Sequence, residues 1–161
     1  PPPSMPRTLY LANGLGFSAS ARTLCLAPLV KAVEALGVRV IEPFGDNNEV
    51  SLAHTRTVEQ ELEIARLDME GVRKSDGVLC VASSPIPDEG AMVEVGLALA
   101  WGKPVFILND DFRYGTAGET LPMNLMLFAG MAADTWNDSY YTSVEELADA
   151  DKALARWARD E

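Results

Sequence analysis

Apolar and polar positions alternate along this chain with two periods, and the switches between those periods divide it into strands and helices. Thr8-Leu9-Tyr10-Leu11-Ala12 reads as a short strand ending at Asn13-Gly14, and Ser20 to Leu36 has the spacing of a helix stopped by Gly37. Val38 to Ile41 makes a second strand, closed by Pro43, and a long helix from Leu52 to Lys74 turns Ile64, Leu67 and Val72 inward. The run Gly77 to Ala82 is apolar throughout, which suits a parallel strand covered on both faces. A helix over Asp88 to Trp101, a turn at Lys103-Pro104 and a strand over Val105 to Leu108 follow. A short helix at Asn124 to Phe128 and a last one from Val144 to Arg159 complete the inventory, with Trp136, Tyr140 and Tyr141 packing the last helix on the sheet. This order predicts an α/β fold: a single-domain three-layer sandwich whose parallel, flavodoxin- or Rossmann-like sheet is flanked by helices. Ligands of such folds sit outside the carboxyl ends of the strands, here Asn13-Gly14, Phe44-Gly45, Ser83-Ser84 and Asn109-Asp110.

With 161 residues, 48% of them hydrophobic, the chain has the length and apolar content for one core. Residues 1–7, opening Pro1-Pro2-Pro3-Ser4, read as an unstructured leader or a leftover of cloning, and residues 8–161 as the domain. Thirteen basic against 24 acidic residues give a net charge of −11, whose field repels a polyphosphate, so nucleic acid is not an expected partner. No apolar run is long enough to span a bilayer and no secretory signal opens the chain, so a soluble, cytoplasmic protein is expected. Cys25 and Cys80 lie in apolar runs without metal-site spacing and read as buried thiols. His54, the one histidine, reads as solvent-exposed in a polar loop, which leaves no His-based triad or His-rich metal centre. No metal and no cofactor are expected, and carboxylates must carry any catalysis.

Glu94 stands out among these, because its helix, Ala91 to Ala100, is otherwise apolar, and Gly90, Ala91, Leu97 and Ala98 at helical neighbour positions offer it no cation. It is either the occupant of a narrow solvent stripe or a buried carboxylate kept for chemistry. Asp88, in Pro85-Ile86-Pro87-Asp88-Glu89-Gly90, reads as a helix cap or as the second carboxylate of a pair of the kind glycosyl chemistry uses. Asp68 by itself reads as a solvated helix residue. A competing signal is Gly14-Leu15-Gly16-Phe17-Ser18-Ala19, which fits a dinucleotide fingerprint, although Glu42 comes too late to be its ribose-binding acid. Phe17 is either a pocket wall or core.

Tyr10-Leu11-Ala12, Asp68 to Gly71, Asp88-Glu89-Gly90-Ala91-Met92-Val93-Glu94-Val95-Gly96 and Pro122-Met123-Asn124-Leu125-Met126 together resemble the nucleoside 2-deoxyribosyltransferases over most of residues 8–128. The resemblance implies a retaining exchange of nucleobases on 2′-deoxynucleosides through a covalent deoxyribosyl intermediate. In it Glu94 matches the nucleophile, Asp88 the carboxylate near the leaving base, Asp68 another pocket acid and Tyr10 the tyrosine that orients the nucleophile. Asn124 matches an asparagine that reaches the 5′-hydroxyl in a neighbouring subunit's site, Met126 lines the same wall, and Phe17 and Gly90 complete the expected substrate-binding set. The implied partners are a 2′-deoxynucleoside, a free nucleobase and further copies of the chain, in a homo-oligomer with shared sites. Base recognition is expected within Phe44 to Asn48. Two other readings stay open: a hydrolase on deoxynucleosides or their 5′-monophosphates, with Ser18, Ser20 and Arg22 cradling phosphate, and a non-catalytic nucleotide-binding module using the glycine-rich loop.

Overall fold

The computed structural model describes residues 5–46, 55–113 and 120–159. Five strands, β1 (Thr8–Ala12), β2 (Arg39–Ile41), β3 (Gly77–Val81), β4 (Val105–Leu108) and β5 (Tyr140–Tyr141), form one sheet in the order β2-β1-β3-β4-β5. All four pairings are parallel. This is the flavodoxin-like order, with its switch point between β1 and β3; the parallel α/β sandwich is the one expected from the sequence, and β5 is a strand the sequence pattern did not predict.

Strand alternation sorts the core into two layers. Tyr10, Ala12, Val78, Cys80, Val105, Ile107 and Tyr140 face one side, under α4 (Val58–Lys74) and α5 (Glu89–Ala100). Leu9, Leu11, Leu79, Val81, Phe106, Leu108 and Tyr141 face the other, under α2 (Ala27–Glu34) and α6 (Ala153–Ala158). Every residue of β3 is buried, which is why that run has no polar position.

Several elements depart from the sequence expectation for local reasons. The helix expected over Ser20 to Leu36 consists of α1 (Ala19–Ala21), a π-helical segment (Arg22–Leu26) and α2. Pro28 has no N–H for the carbonyl of Leu24, and the backbone widens just before it, with the Ala27 N–H donating to the Arg22 carbonyl. Gly37 ends this run in the left-handed region, at φ 84°. Within the π segment only Leu26 is buried, so Cys25 is exposed, contrary to its apolar sequence setting, whereas Cys80 is buried.

A four-residue helix, α3 (Pro43–Asp46), follows β2. The long helix starts later than expected, at Val58, because Thr57 and Gln60 form a capping box, with Thr57 N donating to Gln60 Oε1 at 2.9 Å. His54, Asn47, Asn48 and the expected helix start at Leu52 lie outside the described residues. Asn124 caps a 3-10 turn (Leu125–Phe128).

Tyr140 and Tyr141 are a strand before they are helix packing. Tyr140 pairs with Ile107 and packs near Phe128 and Trp136 on one face, while the Tyr141 hydroxyl on the other accepts from Leu154 N at 2.8 Å and so does tether the last helix. That helix is split into a 3-10 turn (Glu145–Ala148) and α6, since Asp149 is extended and its carboxylate accepts from Asp151 N. Among the described residues no helix is long and apolar enough to cross a membrane.

Gly16 shows how tightly the loop after β1 is packed: a Cβ there would sit 2.0 Å from the Phe44 ring. Gly16→Ala is expected to lower stability by about 1–3 kcal/mol, the usual cost of overpacking. Urea denaturation of wild type and variant checks it.

Candidate active site

Tyr10 leaves the middle of β1 on the α4/α5 side and is 1% exposed. Its ring passes α4 where that helix has Gly71: a Cβ at Gly71 would lie 2.8 Å from Tyr10 Cε2. The Tyr10 hydroxyl donates to Glu94 Oε1 at 2.7 Å. Glu94 projects from the flank of α5 nearer α4, while Ala91, Val95 and Ala98 of the same helix are buried against the sheet. The solvent-stripe reading of Glu94 therefore fails: the carboxylate is half-buried beside the switch point.

The Glu94 carboxyl is raised to about 7, by burial first, against the lowering effect of the Tyr10 hydrogen bond and with the help of the Asp68 and Asp88 charges. The Tyr10 phenol is held well above its usual range, first by burial and then by the Glu94 charge, so it stays a donor. Cys80, next to Ala12 across the β1–β3 pairing, is likewise raised by burial and then by Glu94 and Asp88. The thiol thus stays protonated beneath the carboxylates.

Asp68 is half-buried on α4 and, with Tyr10, lines a cleft of about 190 Å³ beside β2. Asp88 is the N-cap of α5, its Oδ2 accepting from Ala91 N at 2.9 Å, and its other face lies against Gly14, where a Cβ would come 3.2 Å from Asp88 Cβ. The cap reading of Asp88 is what the helix start shows, and its charge lies near enough to Glu94 to raise that carboxyl. Gly90 is exposed beside it, and a Cβ there would meet Asp88 Oδ2 at 3.2 Å. Phe17 is 75% exposed on the loop after β1.

Asn124 and Met126 are exposed, and with Met92, Asn109, Arg113 and Pro122 they line a cavity of about 370 Å³ whose lining includes none of Tyr10, Asp68, Asp88 and Glu94. Asn124 Oδ1 accepts from Met126 N at 3.0 Å.

The groups offered for phosphate are engaged locally. Ser18 Oγ caps Ala21 N and contacts Ser20 Oγ at 3.0 Å, and Arg22 Nε donates to the Gly16 carbonyl at 3.0 Å. The two glycines of the dinucleotide-like motif make room for Asp88 and for the Phe44 ring. Among the described residues no group of His, Cys, Asp and Glu is placed to hold a metal ion. Sequence reasoning placed Asn13 at a ligand-facing strand end and Gly71 in a matching segment without giving either a role, and it set Glu42 aside as a ribose-binding acid. An unusual glycine in α4 and a polar residue closing an apolar strand were the available signals.

A family model described as nucleoside 2-deoxyribosyltransferase matches residues 9–126. The chain belongs to the nucleoside 2-deoxyribosyltransferase family. Among solved structures it is similar to a 2-deoxyribosyltransferase of Bacillus psychrosaccharolyticus, at 18% identity over 87% of this chain and 89% of that one, with a TM-score of 0.65. It is also similar to a 2-desoxiribosyltransferase of Leishmania mexicana, at 21% identity over 91% and 97% of the two chains, with a TM-score of 0.64. A conserved protein of Enterococcus faecalis V583 aligns at 22% identity over 90% and 96%, with a TM-score of 0.60. At these identities the structures speak for the fold. No curated protein sequence matches significantly. As a member of this family the chain is an enzyme of nucleoside deoxyribosyl transfer, and the sequence resemblance agrees with the family assignment.

The raised Glu94 carboxyl predicts a pH-dependent stability difference. A folded-state value of about 7, above the ordinary 4.5, means the folded chain holds this proton more tightly than the unfolded chain. Wild type therefore loses stability from this group as pH rises from about 4.5 to 7, and Glu94→Gln does not. The variant is expected to gain about 1–3 kcal/mol on wild type between pH 5 and pH 8.5 in denaturant titrations.

Proposed function

We propose that this enzyme exchanges nucleobases on 2′-deoxynucleosides by a retaining double displacement in which Glu94 is the nucleophile. The observation that supports it most is the Glu94 carboxylate itself, half-buried, fixed by the Tyr10 hydroxyl at 2.7 Å and facing acids where a surface glutamate would meet cations. Such a group is costly to keep for structure alone.

In the first step a Glu94 oxygen bonds to C1′ as the bond from C1′ to the base nitrogen breaks, through an oxocarbenium-like state that the carboxylate charge stabilises. Asp88, at the amino end of α5, supplies a proton to the leaving base, and Asp68 holds base and acid in register. In the second step the nitrogen of an incoming base bonds to C1′, the ester to Glu94 breaks, and the proton shed by the new base returns to the acid. Two inversions restore the starting configuration. Tyr10, donating to Oε1, fixes which oxygen attacks. Phe17 and Gly90 border the substrate. Asn124 and Met126, exposed in a cavity whose lining does not include Glu94, serve the site of a neighbouring subunit, where the Asn124 amide nitrogen donates to the 5′-oxygen.

Incubation with deoxyinosine and adenine, without phosphate, is expected to yield deoxyadenosine and hypoxanthine with little free deoxyribose. Free sugar as the main product would make the enzyme a hydrolase, and binding without turnover a nucleotide-binding module. Glu94→Ala is expected to lower exchange by about 10³-fold or more, as for loss of a covalent nucleophile.

Attack requires ionised Glu94, so on its acid limb kcat/KM is expected to rise with pH towards about 7. Tyr10→Phe removes the one interaction that lowers the Glu94 carboxyl, so the acid limb should move to higher pH. An acid limb unmoved by Tyr10→Phe would contradict the role given to Tyr10.

A further inference from the structure

The loop after β1 is gripped on both flanks by side chains that enter where it has glycine. Asp88 lies against Gly14, and the Phe44 ring fills the place a Cβ of Gly16 would take. Glu42 holds Phe44 there. Its Oε1 accepts from Phe44 N at 3.2 Å and from Asn13 Nδ2 at 3.3 Å, and its Oε2 accepts from Gly45 N at 2.8 Å. Asn13, 4% exposed, also donates to the Leu11 carbonyl at 3.0 Å and accepts from Leu15 N at 3.0 Å. One carboxylate and one amide thereby tie the loop after β2 to the loop after β1.

The consequence appears at Phe17. Phe44 presents its ring to Phe17 edge-to-face, with centroids 4.9 Å apart and planes at 83°. Phe17 is otherwise 75% open to solvent. A large ring held by another ring, at the carboxyl end of the sheet and on the loop that Asp88 also touches, offers a face to a flat heterocycle.

We propose that Glu42 is a positioning residue for the nucleobase: through Phe44 it holds Phe17 as the wall against which the base packs. The proposal rests on the deoxyribosyltransferase reading of the crevice. Glu42 touches no reacting atom, so its loss weakens base binding and leaves the bond-making step nearly untouched.

The test is a double-variant cycle on the full chain, with wild type, Glu42→Ala, Phe17→Ala and the pair. Adenine affinity is read by titration calorimetry and base exchange by steady-state kinetics. Each single variant is expected to weaken adenine binding and raise the acceptor KM roughly tenfold, the size of one base–aromatic contact, with kcat changed less than about twofold. The pair is expected to be no weaker than the weaker single variant, since both act through one wall. Additive losses, an unchanged affinity in Glu42→Ala, or a fall in kcat in place of affinity would overturn the proposal. If Glu42→Ala does not fold, Glu42→Gln, which keeps one acceptor oxygen, is expected to show a smaller loss that also vanishes in the Phe17→Ala background, and full wild-type affinity in Glu42→Gln would overturn it. A wild type that binds adenine without exchanging bases sinks the transferase reading, and the calorimetric cycle then still decides the role of Glu42.

Discussion

The half-buried carboxylate of Glu94 accepts one side-chain hydrogen bond among the described residues, from the Tyr10 hydroxyl, and two further acids raise its proton affinity. Much of the surrounding structure follows from keeping that arrangement together. Tyr10 can reach it only because α4 has no side chain at Gly71, and Glu94 faces α4 because the buried stripe of α5, Ala91, Val95 and Ala98, fixes that helix's rotation on the sheet. Cys80 under the site is kept a neutral thiol by the same lack of solvent. The cost of the buried charge is offset by the well-packed layers on either face of the sheet.

The crevice above this carboxylate is built by close approach of loops. The parallel order β2-β1-β3-β4-β5 opens a gap at the switch point, and the loop after β1 closes part of it between Asp88 and Phe44. Its glycines would look in sequence like a phosphate-binding turn. In the folded chain they are contact points, and the acid that seemed misplaced for a ribose, Glu42, is engaged by backbone N–H groups.

The strands and most helices were legible because they carry either an almost unbroken apolar run, as in Gly77–Val81 and α5, or an apolar stripe at helical spacing, as in α4. Glu94 was legible for the opposite reason, as a charge within such a run. What escaped depends on partners distant in sequence. The two residues of β5 become a strand only beside Ile107 and Leu108. The ties from Asn13 to Glu42 and from Gly71 to Tyr10 join positions whose local sequence gives no hint of each other. Asn124 and Met126 were picked out by resemblance, and the fold places them with Met92 in a cavity whose lining does not include Glu94.

The most direct test of the nucleophile assignment is to quench the enzyme with acid during turnover of deoxyinosine without an acceptor base, digest it, and weigh the peptides. The account predicts one added deoxyribosyl group on the peptide carrying Glu94, removed when adenine is supplied before the quench. An unmodified Glu94 peptide, with the sugar on another residue or on none while exchange proceeds, would contradict it.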